Sequence, residues 1–494
     1  MKTILHTVLL ALLLAACTPT PEAPVKNPAQ PDIYPDYADV CIPSNIAPLN
    51  FLLRDEVEAV EARAECGGEA LVVNARGNEV CFDEEEWQEF LEKAVGKSVQ
   101  VTVTTLKDGQ WTSWHPFTWK VSEDPIDPWL TYRLIEPDYE IYQNLSLRER
   151  CLENFDERPI SDYGLVGNRC MNCHTYANQN PNLSMLYVRG EGGGAILNRD
   201  GKLSKLNIKT EEMASGSVYF AFSPSGRYVV FSTNDIIPAF HAKPEKRLEV
   251  FDKTSDVFVA DLQTMTILHS PLLADSAVFE TFPAFAPDGK SIFFCSAPPT
   301  SLPGGLQQMR YSLCRVAFDE QTGRMGESVD TLMGPSRTSD DKCSVCHPRV
   351  SPDGRRIIYT VAHYGTFPIW HTETDLQMMN LTTGEVDRME VANSDKSDTY
   401  HSWSSNSRWL VFASKRDDGL YGKPYFCHID KDGKVEKPFV LPQRNPKFYD
   451  NCLKSFNIPE LGRGPLPFQA IDVKHAVEGP QEDFTFTKQK QYHK

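Results

Sequence analysis

Apolar and polar residues alternate with a period of two through much of the chain, which predicts a mainly β protein. Near the N-terminus, segments 70–74 and 99–104 have this pattern and are predicted strands. Apolar residues recur at helical spacing between Phe82 and Val95, which predicts one short acidic helix. We therefore expect a small β-rich domain over residues 36–123.

A turn flanked by apolar strands recurs along the rest of the chain. Its copies begin at Phe222, Phe285 and Val350, and a degenerate copy begins at Trp403. They lie roughly 50–65 residues apart, which is the spacing of β-propeller blades with inserted loops. Residues 185–210 add three strand-like segments. Five blades are therefore visible, and a sixth is either hidden or assembled from both ends of the propeller.

The remaining segments are assigned from their position between these regions. Residues 124–183 are predicted to connect the two domains, with a helix from Ser146 to Phe155. The propeller is expected over residues 184–460, and residues 461–494 form a C-terminal tail.

The N-terminus predicts export. Residues 1–16 have the features of a signal peptide, and the apolar run Ile4–Leu14 is too short to span a bilayer. Leu14-Ala15-Ala16-Cys17 is similar to a lipobox, so Cys17 is expected to carry the lipid anchor; an ordinary signal peptide is the alternative. Thr18 is not Asp, and resemblance to known lipoprotein sorting then favours the outer membrane, facing the periplasm or the surface. Residues 17–35 are expected to be an extended tether.

Two pentapeptides point to chemistry: Cys170-Met171-Asn172-Cys173-His174 and Cys343-Ser344-Val345-Cys346-His347. Both fit Cys-x-x-Cys-His, the attachment signature of c-type haem. Thiols about one turn apart bond the two vinyl groups, and the adjacent imidazole binds the iron. The cofactor-binding residues expected are Cys170, Cys173, His174, Cys343, Cys346 and His347, with His174 and His347 as iron ligands. Disulfides, or one zinc site joining the motifs, are the alternatives.

The sixth iron ligand would decide between an electron carrier and an open site for peroxide chemistry. The sequence does not choose among the available side chains. The candidates are Met185, Met213, His241, His363, His371 and His401.

The net charge and the remaining cysteines indicate which partners and which cellular compartment suit the protein. A net charge of −17 argues against nucleic acid and favours a basic or cationic redox partner. Beyond Cys17 and the four motif thiols, eight of the 13 cysteines remain, which permits up to four disulfides in an oxidising compartment. Cys295 with Cys314, and Cys66 with Cys81, are the local pairs considered.

The repeats resemble the blades of the TolB-like β-propeller family over about residues 185–446. The chain is also similar to exported Bacteroidetes lipoproteins that join such a propeller to an N-terminal β-domain, usually with one Cys-x-x-Cys-His motif at the junction. The segments that carry this likeness are 46–51, 127–135, 173–174, 400–404 and 457–460. The resemblance implies a TolB-like propeller of five or six blades and one haem c near Cys173. The motif at Cys343 departs from this pattern, so the second haem depends on its spacing alone.

The favoured function is electron transfer by one or two c-type haems on a propeller scaffold, with a protein as redox or scaffold partner. One alternative is a propeller that binds a protein or ligand without a redox role, and another is a peroxidase-like haem enzyme. No Ser/His/Asp arrangement or phosphate-binding loop is visible, so whether the chain is an enzyme stays open.

Overall fold

The computed structural model describes residues 19–137, 143–243 and 246–488, so Cys17 and the predicted signal peptide lie outside it. The chain divides into two compact units. The first holds the described residues up to Pro125 together with Glu153–Phe155 and Lys437–Cys452, and the second holds the rest. Within the described residues, no helix is long and apolar enough to cross a membrane.

The first unit contains a seven-stranded sheet, a three-stranded sheet and the predicted helix, α1 (Glu84–Ala94). Asp83 caps α1, because its carboxylate accepts hydrogen bonds from the backbone N–H groups of Glu85 and Glu86. The strands are β1 (Val25–Lys26), β2 (Ile33–Tyr34), β3 (Val40–Ile42), β4 (Phe51–Leu53), β5 (Ala59–Cys66), β6 (Glu69–Arg76), β7 (Glu79–Val80), β8 (Ser98–Lys107), β9 (Gln110–Ser113) and β10 (Phe117–Val121).

Aromatic side chains form the core of this unit. Trp87 of α1 and Trp119 of β10 are fully buried and meet edge to face with ring centroids 5.4 Å apart. Each indole N–H donates to a backbone carbonyl at 2.8 Å, that of Ile46 and that of Tyr37 respectively. Trp87 and Trp119 are therefore core residues whose indole N–H groups are satisfied.

The second unit is a six-bladed β-propeller, so the predicted fold class is confirmed. Blade 1 contains three strands from the N-terminal side: β11 (Trp129–Ile135), β12 (Ser146–Cys151) and β13 (Glu157–Asp162). Blades 2 to 6 follow in chain order, and the first strands of consecutive blades contact one another around the axis. Blade 2 contains β14 (Met171–Ala177), β15 (Asn180–Val188), β16 (Gly194–Arg199) and β17 (Lys202–Asn207), and blade 3 contains β18 (Ser217–Phe222), β19 (Tyr228–Lys243), β20 (Lys246–Asp261) and β21 (Thr266–His269). Blade 4 contains β22 (Phe279–Phe285), β23 (Ser291–Ala297), β24 (Ser312–Asp319) and β25 (Arg324–Met333), and blade 5 contains β26 (Ser344–Val350), β27 (Arg356–Ala362), β28 (Asp375–Asn380) and β29 (Val386–Asp387). Blade 6 contains β30 (Asp398–Trp403), β31 (Trp409–Ser414) and β32 (Lys423–His428).

The ends of the chain close the propeller. After β33 (Phe439–Val440) and α2 (Phe448–Asn451) in the first unit, β34 (Ser455–Gly462) pairs with β11 and completes blade 1. Blade 1 is thus the sixth blade that the repeats left unassigned, and it is assembled from both ends of the propeller. Beyond α3 (Ala470–Glu478), β35 (Gln481–Asp483) and β36 (Thr485–Lys488) add parallel edges to blades 2 and 3. The predicted C-terminal tail is therefore part of the propeller.

The innermost strands share one irregularity. In blades 3 to 6, and in β34 of blade 1, pairing is interrupted by a bulge whose first residue has a positive φ. Outside glycine this conformation is uncommon, so its recurrence marks a position that the repeat itself imposes. We call these residues the axial layer: Tyr219 (φ 54°), Phe282 (50°), His347 (50°), Tyr400 (49°) and Ile458 (51°).

Some local predictions are wrong. Residues 146–155 contain the strand β12 instead of a helix, and residues 124–183 contribute blade 1 and the start of blade 2 instead of a connector. Cys295 and Cys314 have free thiols in different core clusters, because Cys295 pairs with Leu313 and adjacent strand residues face opposite ways. Cys66 and Cys81 are also free thiols, and Cys66 ends β5 whereas Cys81 follows β7.

Candidate functional site

Both pentapeptides lie at innermost blade strands. The first enters β14 of blade 2, and the second enters β26 of blade 5. The chain is extended at both places. The haem interpretation instead assumed that the two thiols of each motif lie about one turn apart. Relative to the bulge, the second motif begins two residues earlier in its strand than the first.

In the second motif the two thiols face different surroundings. Cys343 lines a cavity of about 390 Å³ together with Asp340 and Arg388. Cys346 is fully buried in a core cluster with Cys295, and burial raises the pKa of its thiol to about 12. Residues three apart in a strand lie on opposite faces, so the two sulfurs do not converge on one macrocycle.

His347 belongs to the axial layer and is packed from two sides. Its ring centroid lies 4.1 Å from that of Phe282 and 4.6 Å from that of Tyr400. Burial first, then the charge of Arg349 and its neighbour His401, lower its pKa well below the usual value. Nδ1 is 3.5 Å from the Thr399 hydroxyl. The arrangement at the second motif therefore does not fit a haem, since the imidazole is closed in by rings.

The first motif is held by an arginine. Arg133 donates to the Met171 carbonyl at 3.2 Å and to the Asn172 side-chain oxygen at 2.8 Å. It also donates to the Asn457 side chain at 2.7 Å. Cys170 is partly exposed, whereas the side chain of Cys173 lies outside the described residues. Arg133 thus ties the motif to the innermost strand of blade 1.

His174 is the one motif histidine without a settled partner. Both ring nitrogens are shut off from water, and the backbone of Thr131 is near, but neither nitrogen completes a hydrogen bond among the described residues. Burial, and then the charge of Arg133, lower its pKa to about 4. The cavity that His174 lines has a volume of about 20 Å³, enough for about one water molecule. The donor atoms suit a haem, but the space around them does not.

The candidate sixth ligands are scattered through the blades. Met185 lines the same small cavity as His174, and Met213 is buried in the core of blades 2 and 3. Nε2 of His401 is 2.9 Å from the Ile358 carbonyl oxygen, and Nδ1 of His371 is 3.0 Å from the Glu373 carboxylate. His363 shares that carboxylate at 3.5 Å, and the side chain of His241 lies outside the described residues. The described residues contain no group of three or more His, Cys, Asp or Glu arranged to hold a metal ion.

The axis holds a charged site that the sequence reasoning missed. At the residue where pairing resumes after the bulge, each innermost strand contributes one member of what we call the inner ring: His174, Ala221, Ala284, Arg349, Ser402 and Glu460. Arg349 is the permanently charged member of this ring, and Glu460 is its carboxylic acid.

The guanidinium of Arg349 acts on groups from four blades. Its charge influences the titration of Cys295, His347, His401 and Glu460, which belong to blades 4, 5, 6 and 1. Arg349 itself belongs to β26, the innermost strand of blade 5. Among these groups both imidazoles have lowered pKa values, that of His401 to about 3, so they stay neutral at pH 7.

Glu460 is fixed by its neighbours in blade 2. It accepts hydrogen bonds from the backbone N–H of Tyr176 at 3.0 Å and from the Thr175 hydroxyl at 3.1 Å. Burial outweighs these bonds and the charge of Arg349, and raises its pKa to about 7. The axis therefore carries a permanent cation beside a carboxyl group that is about half protonated at pH 7. Such a site can bind an anion through the planar guanidinium.

A signal for this site was present in the sequence. Arg349 and Glu460 each stand two residues after the axial-layer position, in Cys346-His347-Pro348-Arg349 and Asn457-Ile458-Pro459-Glu460. An alignment of the repeats on their strands, instead of on their turns, would have brought the two charges together.

No family model and no curated protein matches the chain. Solved structures that resemble it include TolB from Acinetobacter baumannii, with 14% identity and a TM-score of 0.44 over 77% of this chain and 85% of that one. A DUF4784 family protein from Bacteroides caccae has 8% identity and a TM-score of 0.33 over 83% and 97%. An oligogalacturonate lyase in complex with manganese has 11% identity and a TM-score of 0.35 over 62% and 72%. Such likeness concerns the fold alone, and the propeller assignment rests on the sheet topology.

Proposed function

We propose that this chain is an exported propeller lipoprotein that binds a carboxylate-bearing ligand at the propeller axis. The observation that carries the proposal is the position of Arg349 on an innermost strand, in the same inner ring as the carboxyl group of Glu460. Nothing in the repeat requires an arginine there, since the equivalent residues of blades 3 and 4 are Ala221 and Ala284. An arginine on an innermost strand, at a position that other blades fill with alanine, is a binding-site candidate.

The charges favour an anion with two acceptor oxygens. A guanidinium donates two parallel hydrogen bonds to a carboxylate, and this pairing gains strength where water is scarce. His347 and His401 are neutral and add no competing charge. The ligand is a small carboxylate or the C-terminus of a protein partner, both of which present the same group. No role for nucleic acid is proposed, given the net charge of −17.

Calorimetry on the full chain tests the proposal. The probes are citrate, trialanine and trialanine with an amidated C-terminus. We expect the two free carboxylates to bind, the amide to bind more weakly, and R349Q to lose roughly ten- to hundredfold in affinity. R315Q is the matched control, because Arg315 pairs with Asp330 on the surface at 2.9 Å. Equal binding by wild type and R349Q, or no binding of any probe, would reject the site.

The pH dependence has a defined sign. Glu460 is protonated below its pKa of about 7 and negative above it, so anion affinity falls as the pH rises from 6 to 8. E460Q keeps the neutral form and flattens this profile. A profile equally steep in E460Q would assign the pH effect to another group.

The anchor is a separate part of the proposal. It rests on the lipobox-like Leu14-Ala15-Ala16-Cys17 and the tether that follows. C17S made with its own leader should lose labelling by palmitate and leave the outer-membrane fraction. Unchanged membrane association of C17S would assign the anchoring to another part of the chain.

An electron carrier with one c-type haem is the second candidate. It is favoured by the unpartnered nitrogens of His174 within a Cys-x-x-Cys-His sequence. A haem stain on protein made with a c-type maturation system decides between the candidates. The ligand-binding proposal expects no covalent haem, whereas the second candidate expects one equivalent that C173A removes. High-spin absorption bands would then indicate the peroxidase-like alternative.

A further inference from the structure

The repeat brings two side chains together across the boundary between blades 3 and 4. The first position is the residue just before the bulge in the innermost strand of one blade. The second position lies in the preceding blade, on the second strand, at the residue that pairs with that blade's own pre-bulge residue. Between blades 3 and 4 these are Ser232 and Thr281, and their hydroxyl oxygens are 3.3 Å apart. Val218 pairs with Ser232, and Thr281 precedes the bulge at Phe282.

The same two positions between blades 4 and 5 hold cysteines. Cys295 pairs with Thr281 in blade 4, as Ser232 pairs with Val218 in blade 3. Cys346 precedes the bulge at His347, as Thr281 precedes the bulge at Phe282. The geometry that brings two hydroxyl groups to 3.3 Å is therefore repeated with two thiols. A disulfide needs Cβ atoms about 3.8 Å apart, and these positions bring side-chain atoms within 3.3 Å of each other between blades 3 and 4.

Other contacts agree with this placement. Cys295 and Cys346 are both fully buried and share one core cluster, which also contains Tyr311. After burial, the largest influence on the pKa of Cys295 is the thiol of Cys346. The pKa of Tyr311 is affected by both cysteines and by Asp252, to which its hydroxyl donates at 2.8 Å.

Both thiols are free in this structure, and we infer that Cys295 and Cys346 form a disulfide that joins blades 4 and 5 in the exported protein. Each thiol gives up one proton and one electron to a protein disulfide of the export compartment's thiol–disulfide exchange system. One S–S bond forms between the cysteines, and the donor disulfide becomes a dithiol. The inference rests on export as given in the proposed function, because a reducing cytosol would keep both thiols free.

The bond must form before the blades close. In the folded protein both sulfurs are buried, and the pKa of the Cys346 thiol is about 12, so almost no thiolate is available to react. Cys314 and Cys343 do not compete, because Cys314 belongs to another core cluster and Cys343 lines a cavity with Asp340 and Arg388. In this assignment Cys346 is the second half of an inter-blade pair, and the pentapeptide at 343–347 holds no haem.

Peptide mapping tests the pair. Residues 18–494 are exported behind a supplied leader, denatured without reductant, alkylated with N-ethylmaleimide and digested with trypsin. Cys295 lies in peptide 291–310, and Cys346 lies in peptide 343–349. We expect these two peptides to be linked by a disulfide that disappears on reduction. C314S and C343S should keep the link, whereas C295S and C346S should lose it.

The contrary results are specific. Alkylated Cys295 and Cys346 in the exported wild type would overturn the inference, and so would a haem adduct on peptide 343–349. A parallel preparation with the native leader separates this outcome from a failure of the proposed export. If the native leader leaves the chain in the cytosol while the supplied leader gives the linked peptides, the export proposal fails and the disulfide stands.

Discussion

Glu280 shows at the residue scale how the fold sets a charge. The side chain is 1% exposed, and its Oε2 has no hydrogen-bond partner among the described residues. Burial first, and then the charges of Asp256 and Asp275, raise its pKa to about 9. Three carboxyl groups close together cannot all ionise at neutral pH, so Glu280 stays protonated.

Replacing Glu280 by Gln should raise stability at neutral pH. In the unfolded chain Glu280 loses its proton above about pH 4.5, whereas the folded protein keeps it up to about pH 9. Stability is therefore unaffected below pH 4.5 and falls as the pH rises between the two values. E280Q has no such cost, and we expect a gain of at most about 3 kcal/mol at pH 7. Urea denaturation at pH 5, 7 and 8 measures it.

The comparison between pH values carries this prediction. The free energies of unfolding of wild type and E280Q should differ little at pH 5 and increasingly at pH 7 and 8. Asp330 pairs with Arg315 on the surface, so D330N should show no such trend. A difference that stays constant from pH 5 to 8 would mean that Glu280 is already ionised in the folded protein.

Single residues were the hardest feature to interpret from the sequence. Both Cys-x-x-Cys-His pentapeptides have the spacing of a haem site, yet that spacing places two thiols together only if the chain turns between them. In β26 the chain is extended, and His347 occupies a position that Phe282 and Tyr400 fill in neighbouring blades. The residue types are visible in the sequence, but the local conformation that decides their chemistry is not.

At the element scale the repeated turn requires a positive φ at one position. Gly226, Gly289 and Gly354 all have φ +70°, and Ser407 takes the same place in the degenerate copy with φ 61°. A Cβ added at Gly354 would meet only a Pro287 side-chain atom at 3.8 Å, which is an ordinary contact. The cost of a side chain at Gly354 is therefore that of the left-handed backbone alone.

We expect G354A to lower the free energy of unfolding by about 1 kcal/mol. Gly304 provides the control, because it has no positive φ and an added Cβ meets nothing within 4 Å. G304A should be neutral or slightly stabilising, since it restricts the unfolded chain. Chemical denaturation of both variants measures the difference. Equal stabilities would show that the turn adopts another conformation at Gly354.

Blades were predictable from sequence because turn and strand signals are local. The error over residues 146–155 has a physical cause. The helix predicted there is the strand β12, in which Glu149 is fully buried and forms an ion pair with Arg158 of the neighbouring strand. A charge paired across two strands leaves no trace in the spacing along one of them.

At the scale of the whole molecule, closure of the ring depends on the C-terminal strand. β34 pairs with β11 along its length, and residues of β34 hold the axis together. Asn457 accepts from Arg133, and Glu460 accepts from Thr175 of blade 2. The repeat pattern predicted that a blade was missing, but only long-range pairing over more than 300 residues identifies its partner strand.

Two truncations distinguish the role of β34, which closes the ring of blades, from that of the edge strands β35 and β36. Deleting residues 480–494 removes the short edge strands β35 and β36 but keeps all six innermost strands, so we expect a cooperative thermal transition shifted down by a few degrees. Deleting residues 454–494 also removes β34, which exposes the edge of β11 and leaves Arg133 without Asn457. Near-UV circular dichroism and limited proteolysis should then show no cooperative transition and rapid cleavage. If the shorter chain melts as cooperatively as wild type, five blades suffice to close the ring, and the role assigned to β34 is wrong.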